Sequence, residues 1–117
     1  MANIIVCMKQ VLDPEAPMST YRVDAEAKRV LQRGVPPVLS PYDENALEAA
    51  LRIKDVQETK VTAVSMGRSL SRAVARKALA AGADQMVLLE DSAFEDLDSY
   101  ATAFTLAAAI RKIGKYD

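Results

Sequence analysis

Apolar residues run unbroken from Ile4 to Met8 and recur, with β-branched content, across Lys60–Met66 and again across Met86–Leu89. Continuous runs of this length, closed by polar or glycine positions, predict strands buried on both faces, as in the middle of a parallel sheet. After each run the apolar positions change to helical spacing. Ala46, Leu47, Ala50, Leu51 and Ile53 form one stripe, and Leu70, Ala73, Val74, the Lys77 stem, Ala78 and Ala81 form a second. Tyr100, Ala103, Leu106, Ala107, Ile110 and Ile113 form a third. Each stripe predicts a helix that buries that face. The order strand, helix, strand, helix, strand, helix predicts an α/β fold, a doubly wound parallel sheet with helices on both faces. One long excursion follows the first strand. Its Asp13-Pro14-Glu15-Ala16-Pro17 segment breaks the strand, Tyr21–Val23 and Arg29–Leu31 can pair as a short hairpin, and Pro36-Pro37 stiffens the approach to the first helix.

The helix ends are written into the sequence. Ser40 caps the first helix, Pro41 suits the first helical position, and Asp43 stands where a capping box needs its acid. Asp43 and Glu44 come early and Arg52 and Lys54 late, in accord with the helix dipole. Ser69 is the expected cap of the second helix and Gly82 its left-handed stop, while Asp98 and Gly114 bound the third. A helix start fixed in this way turns backbone donors outward and can receive an anion or a nucleotide, although a purely structural helix would carry the same residues. In a doubly wound sheet, ligands bind beyond the carboxyl ends of the strands. That places Cys7–Lys9, Ser65–Gly67 and the helix start Ser40–Asp43 around one crevice.

Composition narrows the chemistry. The chain has 117 residues, half of them apolar, which suits one small domain with a single core. Fifteen basic and sixteen acidic side chains, with no block of like charge, give no footprint for nucleic acid or a membrane surface. There is one cysteine and no histidine, so disulfide frameworks, common zinc sites and histidine-based triads are excluded. Cys7 lies within the first strand run, where it is expected to be a buried small hydrophobe. No charged leader precedes the first apolar run and no run approaches the roughly 20 residues of a membrane span, so a soluble, unprocessed, cytoplasmic protein is expected. The first strand continues K-Q-V-L-D-P, with neither a dinucleotide fingerprint nor a Walker loop. Arg68, Arg72 and Arg76, four residues apart, read as a solvated basic face, and the five acids between Glu90 and Asp98 as a solvent-facing loop with a helix cap. The remaining carboxylates are scattered, so a binding domain is favoured over an enzyme.

Four stretches carry a resemblance. I-I-V-C-M-K-Q-V-L-D-P at Ile4–Pro14, S-P-Y-D-E-N-A-L-E-A-A-L-R-I-K at Ser40–Lys54, K-V-T-A-V-S-M-G at Lys60–Gly67 and A-L-A-A-G-A-D at Ala78–Asp84 together resemble the β subunit of electron transfer flavoproteins. The resemblance implies a Rossmann-like, adenine nucleotide alpha hydrolase-like domain, and a heterodimer with an α subunit. Such a protein takes electrons from flavin-containing dehydrogenases and passes them to an acceptor, without a catalytic side chain of its own. It implies a catalytic FAD held mainly by the α subunit, and in the β subunit either a structural AMP or, in members that bifurcate electrons, a second FAD. The resemblance of P-Y-D-E-N-A-L-E-A-A-L and V-S-M-G is closer to the anaerobic and bifurcating-like members, which favours the second FAD. Carried over by position, the adenosine pocket is formed by Cys7, Ser40, Pro41, Tyr42, Asp43 and Met66. The A-L-A-A-G-A-D turn falls on the surface that such subunits turn toward the dehydrogenase.

The family's β subunits are about twice this length and continue with a further strand and a loop that holds the nucleotide phosphates. Residues 1–117 are therefore expected to be the truncated, N-terminal part of one nucleotide-binding α/β domain. The alternative is a stand-alone adenine-nucleotide-binding regulator of the universal-stress type, which closes its site with a glycine-rich loop not found here. A structural domain that binds nothing is the third reading.

Overall fold

A computed structural model describes all residues, Met1–Asp117. β1 (Ala2–Cys7), β6 (Thr59–Gly67) and β7 (Gln85–Glu90) form a parallel sheet in the order β1-β6-β7. β6 is central because both of its faces are apolar. Val61 and Ala63 point to one side and Val64 to the other, all fully buried, and each buried valine contributes about 1.5–3 kcal/mol relative to exposure. On the first side lie α1 (Pro41–Lys54) and α2 (Arg72–Ala81), whose Leu47, Ala50, Val74 and Ala78 join Val6, Val61 and Ala63 in one core cluster. α3 (Ser99–Ile113) takes the other side, with Ala107 and Ile110 beside Ile5. The expected α/β architecture, helices on both faces of a parallel sheet, is the architecture found. No helix is long and apolar enough to cross a membrane.

The excursion after β1 is built as small antiparallel pairs. β2 (Gln10–Val11) pairs with β5 (Val38–Leu39), and β3 (Tyr21–Asp24) with β4 (Arg29–Gln32) as the hairpin expected from sequence. Asp13 and Gln32 clip the hairpin base by two 2.8 Å bonds: Asp13 N–H donates to Gln32 Oε1, and Gln32 Nε2 donates to the Asp13 carbonyl.

Several local expectations are corrected. The capping box does not form: Ser40 N–H donates to the Lys9 carbonyl at 2.8 Å, so it has no need of Asp43, whose carboxylate accepts Lys9 N–H at 2.7 Å instead. The N-cap position of α2 is Ser71, which makes no side-chain cap bond, rather than Ser69, because the residues before it are held out of the helix by bonds from Gln10 and Glu90. Ala46, Ile53, Ala73 and Ala81 are exposed, whereas Ala75 is buried; the buried faces of α1 and α2 are narrower than their apolar stripes. No residue of α3 is buried, and Tyr100 and Phe104 are 79% and 66% exposed. α3 covers its face of the three-stranded sheet alone, half-burying Leu106, Ala107, Ile110 and Ile113 and leaving Tyr100 and Ala103 outside.

The A-L-A-A-G-A-D turn closes the amino end of the sheet, opposite the crevice. Gly82 ends α2 at φ +130°, a backbone region open mainly to glycine. Asp84 then accepts Val61 N–H at 2.8 Å and Lys54 Nζ at 2.6 Å, while its own N–H donates to the Val61 carbonyl at 2.8 Å. Asp117 N–H donates to the Asn3 carbonyl, and its carboxylate accepts Asn3 N–H, both at 2.9 Å.

Candidate functional site

The carboxyl ends of β1 and β6 open into a cleft of about 780 Å³, between the start of α1 on one side and the β7–α3 connection with α3 on the other. Its walls come from four places. The end of β1 and its turn supply Cys7 to Gln10; β6 and the loop after it supply Val64 and Met66 to Leu70; α1 supplies Asp43; the β7–α3 connection and α3 supply Phe94, Asp96, Leu97, Thr102 and Leu106. Half of these residues are hydrophobic, the mixture of apolar wall and sparse polar groups usual in small-molecule sites of roughly 300–1,000 Å³.

Alternation along β1 explains what faces the cleft. Val6 and Met8 point into the α1/α2 core and are buried, so Cys7 between them points to the other side, beyond the cover of α3. The expectation of a buried Cys7 is thus corrected: the thiol is exposed on the cleft wall. Partial desolvation, and after it the negative charge of Asp43, raise its pKa above the ordinary thiol value, so it stays protonated and weakly nucleophilic.

Of the residues singled out from sequence, Cys7, Asp43 and Met66 line the cleft together, whereas Ser40, Pro41 and Tyr42 flank it without lining it. Tyr42 is 84% exposed, and Ser40 is occupied through its backbone by Lys9. The helix start offers fewer free donors than its sequence suggests. Pro41 has none, and Asp43 and Glu44 N–H both donate to the Ser40 carbonyl at 3.0 Å, which leaves Tyr42 N–H. The sequence reading missed the entire α3 side. The signal was present in principle, since β7 also ends at the crevice and whatever follows it must pass the mouth.

The acidic loop is not simply solvated. Glu95 receives Arg29 Nη1 at 2.8 Å and Arg68 Nη1 at 2.5 Å, and Asp96 pairs with Arg29. Glu90 pairs with Arg72 at 2.9 Å. Two of the three arginines read as a free basic face are therefore paired, and Arg68 lies in the loop before α2. Glu95 is held below the usual carboxylate range, by its hydrogen bond from Arg68 first. These pairs tie the hairpin, the β6–α2 loop and the β7–α3 connection together at the cleft rim.

The Asp43 carboxylate beside Cys7 is engaged by Lys9 N–H, and no group of three or more metal-ligating side chains is present. The volume and half-apolar lining suit a small molecule.

Comparison with known proteins gives the family. A family model described as Electron transfer flavoprotein domain matches residues 28–117. The chain is 44% identical over 115 residues to the protein of Thermoanaerobacterium thermosaccharolyticum named Electron transfer flavoprotein subunit beta, covering 98% of this chain and 42% of that protein. It is 44% identical over 116 residues to the Caffeyl-CoA reductase-Etf complex subunit CarD of Acetobacterium woodii, covering 98% of this chain and 43% of that protein. It is 42% identical over 113 residues to Protein FixA of Azorhizobium caulinodans, covering 97% of this chain and 39% of that protein. The chain spans about two fifths of the length of these curated relatives. The universal-stress alternative is not favoured.

Proposed function

This chain belongs to the electron transfer flavoprotein domain family, and from that premise we propose that residues 1–117 are the N-terminal part of one nucleotide-binding α/β domain in a β subunit. The cleft at the ends of β1 and β6 takes the adenosine portion of an adenine nucleotide, against the side of Cys7 and Met66 and beside Asp43. The single observation that carries this reading is that cleft, formed by the strand ends of a parallel sheet in a chain of this family.

The intact protein is an electron carrier that pairs with an α subunit, works in the cytoplasm and draws electrons from flavin-containing dehydrogenases. A relative named as a subunit of a caffeyl-CoA reductase-Etf complex supports a reductase partner. FAD, held mainly by the α subunit, supplies the electron-transfer chemistry; the residues of this chain bind, orient and exclude water. The β-subunit nucleotide is AMP or a second FAD, and the closer resemblance of P-Y-D-E-N-A-L-E-A-A-L and V-S-M-G to the anaerobic and bifurcating-like members favours FAD.

Acid extraction of the full-length protein purified with its α subunit, followed by chromatography, tests this. About two FAD per heterodimer is the expected result. One FAD with one AMP would keep the adenosine reading and change its ligand, and a β subunit free of adenine would overturn it.

A further inference from the structure

Gln10 is fixed on β2 by its pairing with Leu39 of β5, and its side chain crosses to a different part of the molecule. Nε2 donates to the Ser69 carbonyl at 3.1 Å, and Oε1 accepts Ser71 N–H at 2.7 Å. One carboxamide thereby meets two backbone groups of the β6–α2 connection, much as a neighbouring strand would. The amide can sit only one way round, since the flipped orientation would set donor against donor and acceptor against acceptor. Between those two bonds, Leu70 N–H is taken by Glu90 Oε2 at 3.1 Å. The connection is thus pinned at consecutive residues, and α2 begins only after Ser71. Residues 67–70 of this connection form one wall of the cleft, and Gln10 lies on the same cleft.

We propose that Gln10 is a positioning residue for the cleft: its carboxamide, through Ser69 and Ser71, sets the shape of the Gly67–Leu70 wall that the adenine nucleotide meets. This role rests on the nucleotide reading given above. Half-exposed hydrogen bonds like these add little to global stability, because water replaces them on unfolding. Their effect falls on the local geometry of a loop that has no ladder partner of its own. Gln10→Glu isolates that effect. The ionised carboxylate still accepts from Ser71 N–H but opposes the Ser69 carbonyl with a second acceptor. The protonated acid restores a donor and so recovers both bonds. The charged and titratable groups around position 10 are Cys7, Lys9, Asp43, Arg68 and Asp96 on the cleft, with Glu90 and its partner Arg72 beside the connection. They are common to native and variant protein, so the ratio of the two at each pH removes their contribution.

The test uses the full-length protein assembled with its α subunit, as native, Gln10→Glu and Gln10→Met forms, from pH 8 down to pH 4.5. Two quantities are read: the dissociation rate of the β-subunit nucleotide, and amide hydrogen-exchange protection at Ser71 corrected for intrinsic rates. At pH 8 both variants should release nucleotide about tenfold faster than native; Gln10→Met, which has no acceptor for Ser71 N–H, should also lose about tenfold in Ser71 protection, whereas Gln10→Glu should keep most of it. As pH falls, the Gln10→Glu defect should shrink toward native while the Gln10→Met defect stays constant. If Gln10→Glu does not fold at pH 8, the Gln10→Met form alone decides by the same two readings. Native-like Ser71 protection in nucleotide-loaded Gln10→Met, or a Gln10→Glu release defect that ignores pH, would overturn the role of Gln10 and leave the nucleotide reading standing. A native protein without β-subunit adenine would overturn both.

Discussion

The carboxylate of Asp43 accepts the backbone N–H of Lys9 at 2.7 Å, while the carbonyl of the same Lys9 accepts Ser40 N–H at 2.8 Å. Both main-chain groups of one residue after β1 are thus held by the first turn of α1. The helix start is locked to the end of the first strand, and the cleft inherits its rigidity from that lock. An acid placed at the third helical position, which in isolation would close on its own cap, here joins two elements 34 residues apart.

Asp43→Ala should therefore cost about 1.5 kcal/mol, the range for a hydrogen bond to a charged acceptor. Asp43→Asn, which keeps an acceptor oxygen, should cost less. Urea unfolding of the full-length protein measures both, and equal losses for the two variants would show that charge rather than the Lys9 bond is what matters.

The same residue shows what was legible beforehand. The strands, helices, hairpin and the approximate mouth of the site follow from apolar periodicity and helix-end residues, because those signals are local. Asp43 was found, but given the wrong partner, since a capping box and a cross-element bond use the same residue at the same position. Ser69 reads as the cap of α2 because nothing local reveals that Gln10, 59 residues away, already holds Ser69. Cys7 was expected to be buried because a continuous apolar run does not say where a covering helix stops. For the side of the cleft made by Phe94, Leu97 and Leu106, the end of β7 points to the crevice, but which residues of the connection and of α3 line it depends on tertiary packing.

Gly82 and Gly34 both have positive φ, yet substitutions there should differ. A Cβ on Gly82, at φ +130°, would sit 3.1 Å from Leu51 Cδ2, whereas one on Gly34, at φ +70°, meets nothing within 4 Å. Gly82→Ala should cost about 2 kcal/mol, from backbone strain and displacement of Leu51, and Gly34→Ala about 1 kcal/mol. Thermal melts of the two variants check this, and a Gly34 variant as unstable as the Gly82 variant would refute the steric part.

Asp84 carries a pH prediction. Its hydrogen bond from Lys54, followed by that from Val61 N–H, lowers its pKa below the ordinary aspartate value. A lowered folded-state pKa means that the unfolded chain binds the proton first. The contribution to stability is present above about pH 4 and lost as pH falls through the folded value. Asp84→Ala should cost about 1 kcal/mol at pH 7, after allowance for solvent screening of a half-exposed pair, and should flatten the acid limb of the stability profile. Urea midpoints between pH 2 and pH 7 read it directly; a variant that loses stability with acid as steeply as native protein would show that other groups set the limb.

The two ends of the β3–β4 hairpin are held by different forces and should respond differently to salt. At its base, Tyr21 Oη donates to the Asp13 carbonyl at 3.0 Å, Arg33 N–H donates to the Thr20 carbonyl at 3.0 Å, and Asp13 and Gln32 exchange their two amide bonds. At its tip, where Asp24 pairs with Arg29, the attachment to the rest of the chain is ionic, from Arg29 to Glu95 and Asp96. Glu95 also receives Arg68, so its loss releases two segments of the cleft rim. Exposed ion pairs weaken once the Debye length falls to about 3 Å in molar salt, while the uncharged base is indifferent to it. Amide exchange should therefore rise with salt at residues 24–29 and not at Tyr21 or Gln32, and Glu95→Ala should produce the same pattern at low salt. Because Arg68 and Arg29 lower the Glu95 pKa, the tip stays anchored above about pH 4.3 and is released as pH falls through the lower folded value. Uniform exchange along the hairpin, unaffected by salt or by Glu95→Ala, would mean that Val30, Leu31 and their neighbours hold the tip by packing, and that the arginine pairs at the rim restrain nothing.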